Sequence, residues 1–339
     1  MTPPHTDRAP HPPGGPAGPA APAAALAPVL VCGEVRTCLL PNRDAVDERT
    51  AEELLRLRAD ERVRVSRRPN RHAVSPDVLT GVDCRLPAAG GAKVRAVGTV
   101  TARAALVGGR VLQSTAHFAA PADGPDRRRP WGYYLVRPGV LVPVGKLPAR
   151  AVATGFLTGQ QPDELDVGSV AESLLARISR QHRLLDHDAP LTTTDTSLRW
   201  AALPATDGTD QAPRFTVGDD GRRQVELRLP PGTPPAAVAA LCEDLALHDW
   251  LLTTVGDKLD GLRLGSGDGR AALRTLRPLV DHLLHLWMPR ARTDRALDTL
   301  WHALEEAPGF SRQWAALSQR IRDQLAVQLL TRSEALTPS

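Results

Sequence analysis

Apolar positions recur along this chain in two registers, and the register changes near residue 233. Before that point they come in short continuous or alternating runs, rich in Val and bounded by Gly and Pro, as strands do. After it they return every three to four positions, as on one face of a helix. Residues 28–40 predict a strand stopped by Pro41-Asn42. Residues 44–57 predict a helix, with Asp47 and Glu48 at the end that favours negative charge and Arg56 and Arg58 at the other. Ala51, Leu54 and Leu55 would form its short apolar face, and residues 62–65 alternate as a strand does. The clearest β signal is 93–120, where Gly108-Gly109 separates two apolar runs and predicts a hairpin. A second pair of strands is expected over 131–144 around Pro138-Gly139. An amphipathic helix is expected over 165–185, with Val170, Leu174, Leu175 and Ile178 inward, then a polar loop over 192–212. A hairpin should follow, turning at Gly218-Asp219-Asp220-Gly221.

The remaining third predicts four helices. The first is capped by Thr233 with Pro234 at its first position, and carries Val238, Leu241, Leu245, Leu252, Val255 and Leu259. The second runs from Leu273 to Trp287, and Pro289 closes it. The third is capped by Thr293, and the fourth is traced by Phe310, Trp314, Leu317, Ile321 and Leu325. Trp250, Trp287, Trp301 and Trp314 fall one per helix, as core residues or as anchors for a partner. The fold class expected is α+β: a β-rich N-terminal domain followed by a C-terminal antiparallel helical bundle. The expected divisions are a disordered Pro/Ala-rich tail (1–28), a basic β-rich domain (29–160), a connecting helix and hairpin (161–232) and a four-helix bundle domain (233–332).

Charge sharpens this division. Residues 29–160 carry 21 Lys and Arg against 12 Asp and Glu, and residues 161–339 carry 20 against 25. Of 42 basic residues all but Lys93, Lys146 and Lys258 are Arg, a bias that a high-GC genome produces without any functional demand. The 4 cysteines make neither a disulfide framework nor a CxxC pair. Cys32 and Cys38 share a strand face but stand about 20 Å apart. Free thiols in a reducing cytoplasm are the expectation. No run approaches the roughly 20 apolar residues of a membrane span. The segment ending Val29-Leu30-Val31-Cys32-Gly33 is a poor export signal, since prolines interrupt it and Arg8 alone precedes it.

Three constellations carry candidate chemistry. His282 and His285 sit one turn apart on a helix, and His248, Asp249 or His302 could approach from neighbouring helices to hold a metal. No HExxH or ExxH accompanies them, so structural histidines are the competing reading. Arg62, Arg64, Arg67, Arg68 and Arg71, joined by Arg127, Arg128 and Arg129 beside Trp131, Tyr133 and Tyr134, could bind phosphates and stack bases. Glu52, Glu53, Asp60 and Glu61 sit among those arginines, which also fits a solvated face. The stretch Gly265-Ser266-Gly267-Asp268-Gly269 lacks P-loop spacing, and no GxSxG occurs. Asp163, Glu164 and Asp166 fit a solvated helix start.

Four stretches together resemble an actinobacterial protein family to which no activity is assigned. They are Cys32-Gly33-Glu34-Val35-Arg36-Thr37-Cys38-Leu39-Leu40-Pro41, Trp131-Gly132-Tyr133-Tyr134-Leu135-Val136-Arg137-Pro138-Gly139, Asp281-His282-Leu283-Leu284-His285-Leu286-Trp287 and Gly309-Phe310-Ser311-Arg312-Gln313-Trp314. The resemblance implies a neighbour that is a P-loop NTPase-like protein, and no site residue. The function expected is a non-enzymatic accessory or scaffold protein in a multi-protein system, with no cofactor. Nucleic-acid binding through the arginines and a metal-dependent enzyme built on the histidines are the rivals.

Overall fold

The computed structural model describes residues 28–159, 163–205, 212–218, 220–230, 232–261 and 269–336. The N-terminal tail and the glycine-rich stretch at 265–268 therefore lie outside the described residues. The fold is mixed α+β: a ten-stranded sheet with helices on both faces. In chain order the elements begin with β1 (Pro28–Leu39), α1 (Glu48–Leu55), β2 (Arg64–Ser66), β3 (His72–Val74), β4 (Val78–Leu86), β5 (Val94–Val107) and β6 (Val111–Pro121). Then come α2 (Trp131–Leu135), β7 (Leu141–Pro143), α3 (Ala149–Thr158), α4 (Val167–Ser179), β8 (Thr196–Pro204), β9 (Arg214–Val217) and β10 (Arg223–Leu229). The last are α5 (Pro235–Asp260), α6 (Gly269–His282), α7 (Asp298–Glu306) and α8 (Phe310–Leu336).

The strand order is β2-β3-β5-β6-β1-β8-β10-β9, with β4 and β7 also pairing the N-terminal half of β5. All pairs are antiparallel except β8 with β10. The hairpin β5–β6 turns at Gly108 and Gly109, whose φ values of 61° and 69° suit the tight turn that matches strand twist. Asp47 caps α1 by accepting from Thr50 N at 2.8 Å. β1 is covered on both faces, so its side chains divide by parity. Leu30, Cys32 and Cys38 join a core under α1, α3 and α4, while Val31 and Val35 face α5.

Several expectations change. Residues 131–144 are not two strands. Tyr133 N bonds to Pro130 O, one helical turn forms, and Tyr134 buries its ring against Val97 and Val142, leaving residues 141–143 as a short strand with a single bridge from Val140 to Ala119 before it. The polar loop expected at 192–212 contains β8, a central strand. Leu198, Trp200 and Ala202 alternate toward α5, and Trp200 lies over Gly33, where any Cβ would collide with the indole. Residues 161–232 do more than connect, because β8, β9 and β10 extend the sheet beyond β1. Nor do the later helices form a bundle of their own: α5 packs on β1, β6 and β8 while α6 and α8 cover its outer side. Thr233 does not cap α5, which starts one residue later after Pro234; Thr233 Oγ1 donates to Pro230 O instead. Thr293 likewise turns inward to Asp244, and Asp294 caps the short turn before α7. The strand β4 and helix α3 have no counterpart in the sequence reading.

Candidate functional site

Charged residues inside strands covered on both faces must be paired, because stranding a charge away from water costs several kcal/mol. Among the described residues two ionic centres join one buried carboxylate to two guanidiniums, one on each face of the sheet. On the α5 face, Arg103 of β5 donates from Nε to Glu243 Oε1 at 2.7 Å. Arg292, from the loop before α7, reaches Glu243 Oε2 at 3.4 Å and stands 3.5 Å from Asp244 Oδ1. Gln113 of β6 accepts from Arg292 and donates to Glu243 O at 2.9 Å and to Thr37 Oγ1 at 3.1 Å. Two guanidiniums thus meet two carboxylates with every side chain buried. Burial alone would raise the Glu243 carboxyl, but Arg103 and Arg292 outweigh it and hold the group below its ordinary value. Beside them His117 is pushed down to about 4, first by burial and then by the Arg103 charge. Its Nδ1 and the Trp200 Nε1 are both buried without a hydrogen-bond partner.

The second centre lies under α3 and α4. Glu34 of β1 is directly opposite Arg199 of β8, and Arg199 is opposite Gln224 of β10. Arg199 Nε and Nη2 each approach Glu34 Oε2 at 2.9 Å, and Arg36 Nε lies 2.8 Å from Oε1. The carboxylate has room only because residue 168 is glycine: a Cβ there would stand 2.6 Å from Oε1. Asp166 caps α4 through Ser169, as a solvated helix start requires. Burial acts to raise its carboxyl, but the Ser169 bonds and the Arg199 and Arg36 charges hold it below the ordinary carboxylate range. This centre opens into a pocket of about 160 Å³ lined by both carboxylates, Arg36, Arg199, Arg222, Ser197, Gln224 and Leu157.

The residues singled out from sequence are dispersed. His248 is buried between Trp287 and Trp301, with ring centroids at 4.6 and 5.7 Å, and its Nδ1 bonds to Asp244 O. Trp287 in turn stacks on Trp314 at 4.4 Å. Asp249 is taken by Arg223 at 2.7 Å, and His302 is an exposed residue bonded to Asp298 O. His282 and His285 sit beside Arg110, whose guanidinium, after burial, lowers the proton affinity of both rings. A neighbouring cation disfavours a metal ion by the same repulsion. Among the described residues no group of three His, Cys, Asp or Glu is placed to hold a metal.

The arginines divide between the two ends of β5. Arg71 donates to Val46 O and Gly108 O at the hairpin end, and Arg67 pairs with Glu48 at 2.9 Å. Arg62, Arg64 and Arg68 are exposed around the short strand β2. Arg128 pairs with Asp83, opposite Val97, and stands 5.5 Å from the Trp131 ring; Arg127 and Arg129 flank it. Val97 and Gly108 are separated by roughly 35 Å of strand.

Sequence reasoning passed over Glu34, Arg36, Arg103, Arg199, Glu243 and Arg292. The available signal was a charge interrupting a run apolar on both sides, as in Val31-Cys32-Gly33-Glu34-Val35-Arg36 and Leu241-Cys242-Glu243-Asp244-Leu245. No protein-family description, curated protein or solved structure matches the chain.

Proposed function

We propose that this is a non-enzymatic accessory protein that captures an extended acidic segment of a partner along β4. The carrying observation is an apolar surface beside an open strand edge. Leu79, Trp131, Leu135 and Val136 are 42%, 37%, 58% and 68% exposed. Trp131 lies over Gly81, which shares a face of β4 with Leu79, and Leu135 follows Trp131 by one helical turn. Among the described residues β4 pairs only β5, apart from an isolated bridge between Arg85 and Glu164. An edge of this kind accepts another strand through main-chain hydrogen bonds, with side-chain pockets setting specificity. Arg127, Arg128 and Arg129 at the rim favour carboxylates in the incoming segment and speed its encounter.

All four cysteines are free thiols, and no described helix is long and apolar enough to cross a membrane. These features support work in the reducing cytoplasm. The P-loop NTPase-like protein implied by the family resemblance is the first partner to test. Wild-type protein should co-elute with it on size exclusion, while Trp131→Ala with Leu135→Ser should abolish the complex and leave the unfolding midpoint in place. Equal complex formation by the double variant, or binding of DNA or RNA that Arg127→Ala with Arg128→Ala weakens, would replace this reading with another.

A further inference from the structure

On the reading that β4 is a docking edge, the main chain fixes which of its residues are open to a new strand. In an antiparallel pair, opposed residues alternate between bonding to each other and pointing their N–H and C=O away. Arg95 O accepts from Val144 N at 2.8 Å and Thr99 N donates to Val140 O at 3.2 Å, so both turn from β4 toward the β7 side. Their partners across the ladder, Arg85 and Gly81, therefore point the other way, outward. Arg85 O accepts from Leu165 N at 2.8 Å, which closes that end of the edge. The same parity turns the N–H and C=O of Leu79 and Gly81 outward, and among the described residues none of these four groups makes a hydrogen bond.

Side chains of a docked strand share faces with the β4 residues beside them. On one face Trp131 lies over Gly81 and Leu79 is exposed, so side chains beside these two meet apolar surface. On the other face a groove of about 370 Å³ separates Val78 and Thr80 from α4, with Ala102, Val170 and Leu174 as further apolar walls. Arg177 alone is charged among its lining residues. A side chain beside Thr80 enters this groove. Toward Asp83 the surface turns basic: Arg85, Lys93, Arg95 and Arg128 stand against Asp83, Asp163 and Glu164, four charges to three. Arg127 and Arg129 exceed Asp126 by one more. We propose that the docked segment is about five extended residues, matching Val78 to Val82, apolar on both faces beside Leu79, Thr80 and Gly81, and carboxylate-bearing where it leaves the edge at Asp83. The indole and the α4 groove then read alternate side chains of one strand.

Fluorescence anisotropy of the full chain with a labelled peptide, acetyl-Leu-Val-Leu-Thr-Glu-Glu-amide, and with its reversed sequence tests the proposal, since a strand can dock in either direction. Saturable binding of one of the two is expected. Methylating alternate backbone nitrogens of that peptide should weaken it about tenfold in one phase and leave it intact in the other, because only one set of N–H groups faces β4. Ser173→Trp fills the groove from an exposed position of α4 and should also weaken binding about tenfold, with the unfolding midpoint unchanged. Replacing both peptide Glu by Gln should weaken it about threefold and flatten its salt dependence. No saturable binding of either peptide, equal effects of the two methylation phases, or full affinity in Ser173→Trp overturns the proposal. If any of these occurs while Trp131→Ala with Leu135→Ser still abolishes the complex with the NTPase-like protein, the docking patch stands and only the segment assigned to it falls.

Discussion

The two ionic centres on opposite faces of the sheet use the same chemistry under different access to water. Under α5, Arg103, Glu243, Asp244 and Arg292 are matched charge for charge and sealed by helices. Under α3 and α4, Glu34 is just as buried, but one of its guanidiniums, Arg36, is a third exposed and faces a pocket. Pairing that is complete and dry holds structure in register; pairing at a wet opening leaves a partner free to turn outward. Burial of the carboxylate alone does not separate these cases, and the exposure of its guanidinium partners does.

Breaking the sealed centre should have the largest effect. Glu243→Ala strands two buried guanidiniums and should cost about 3–5 kcal/mol in urea unfolding, whereas Glu34→Ala should cost less because Arg36 can turn to solvent. Equal losses would erase the distinction between the faces. Acid should expose the same asymmetry next. His117 has an ordinary value of 6.5 and is pushed down to about 4 by burial and Arg103. Between those values the unfolded chain binds a proton that the folded chain refuses, so stability falls as pH drops through the window, by about 3 kcal/mol in all. Burial also lowers His72 and His248, which adds to the slope. His117→Gln should flatten the pH dependence of unfolding by one proton, and an unchanged slope would mean that water reaches the ring. The smallest effect sharpens the open side: Gly168→Ala places a methyl against Glu34 Oε1 and should cost about 1–3 kcal/mol by overpacking. The loss should shrink in a Glu34→Ala background, and an additive double variant would show that the two residues do not touch.

Local signals carried much of the secondary structure. The runs behind β1, the β5–β6 hairpin, α4 and α5 each have one periodicity and firm stops, and they form where expected. Failures came where tertiary contacts override composition. Residues 131–135 look like a strand by aromatic content, yet Tyr134 finds its core partners only when the backbone turns. In β8, Thr196, Ser197 and Arg199 read as polar because their partners, Glu34 and Arg36 among them, lie far away in sequence. The ionic centres were hidden for the same reason. Glu34 with Arg199, and Arg103 with Glu243, join residues that only the sheet order and the seating of α5 bring together. His248, His282 and His285 share a helical region in sequence, but the rotation of α5 sends the first into an indole cage.

The place of β1 between β6 and β8 has a consequence for biogenesis. A nascent chain emerging from the ribosome can zip β1 to β6 early, but the opposite border of β1 stays bare until Thr196 and the residues after it have been made. Glu34 would spend that interval with Arg36 at hand and Arg199 still unsynthesised. Truncation products ending before β8 should consequently be sticky and quickly degraded, so proteolysis would clear incomplete copies.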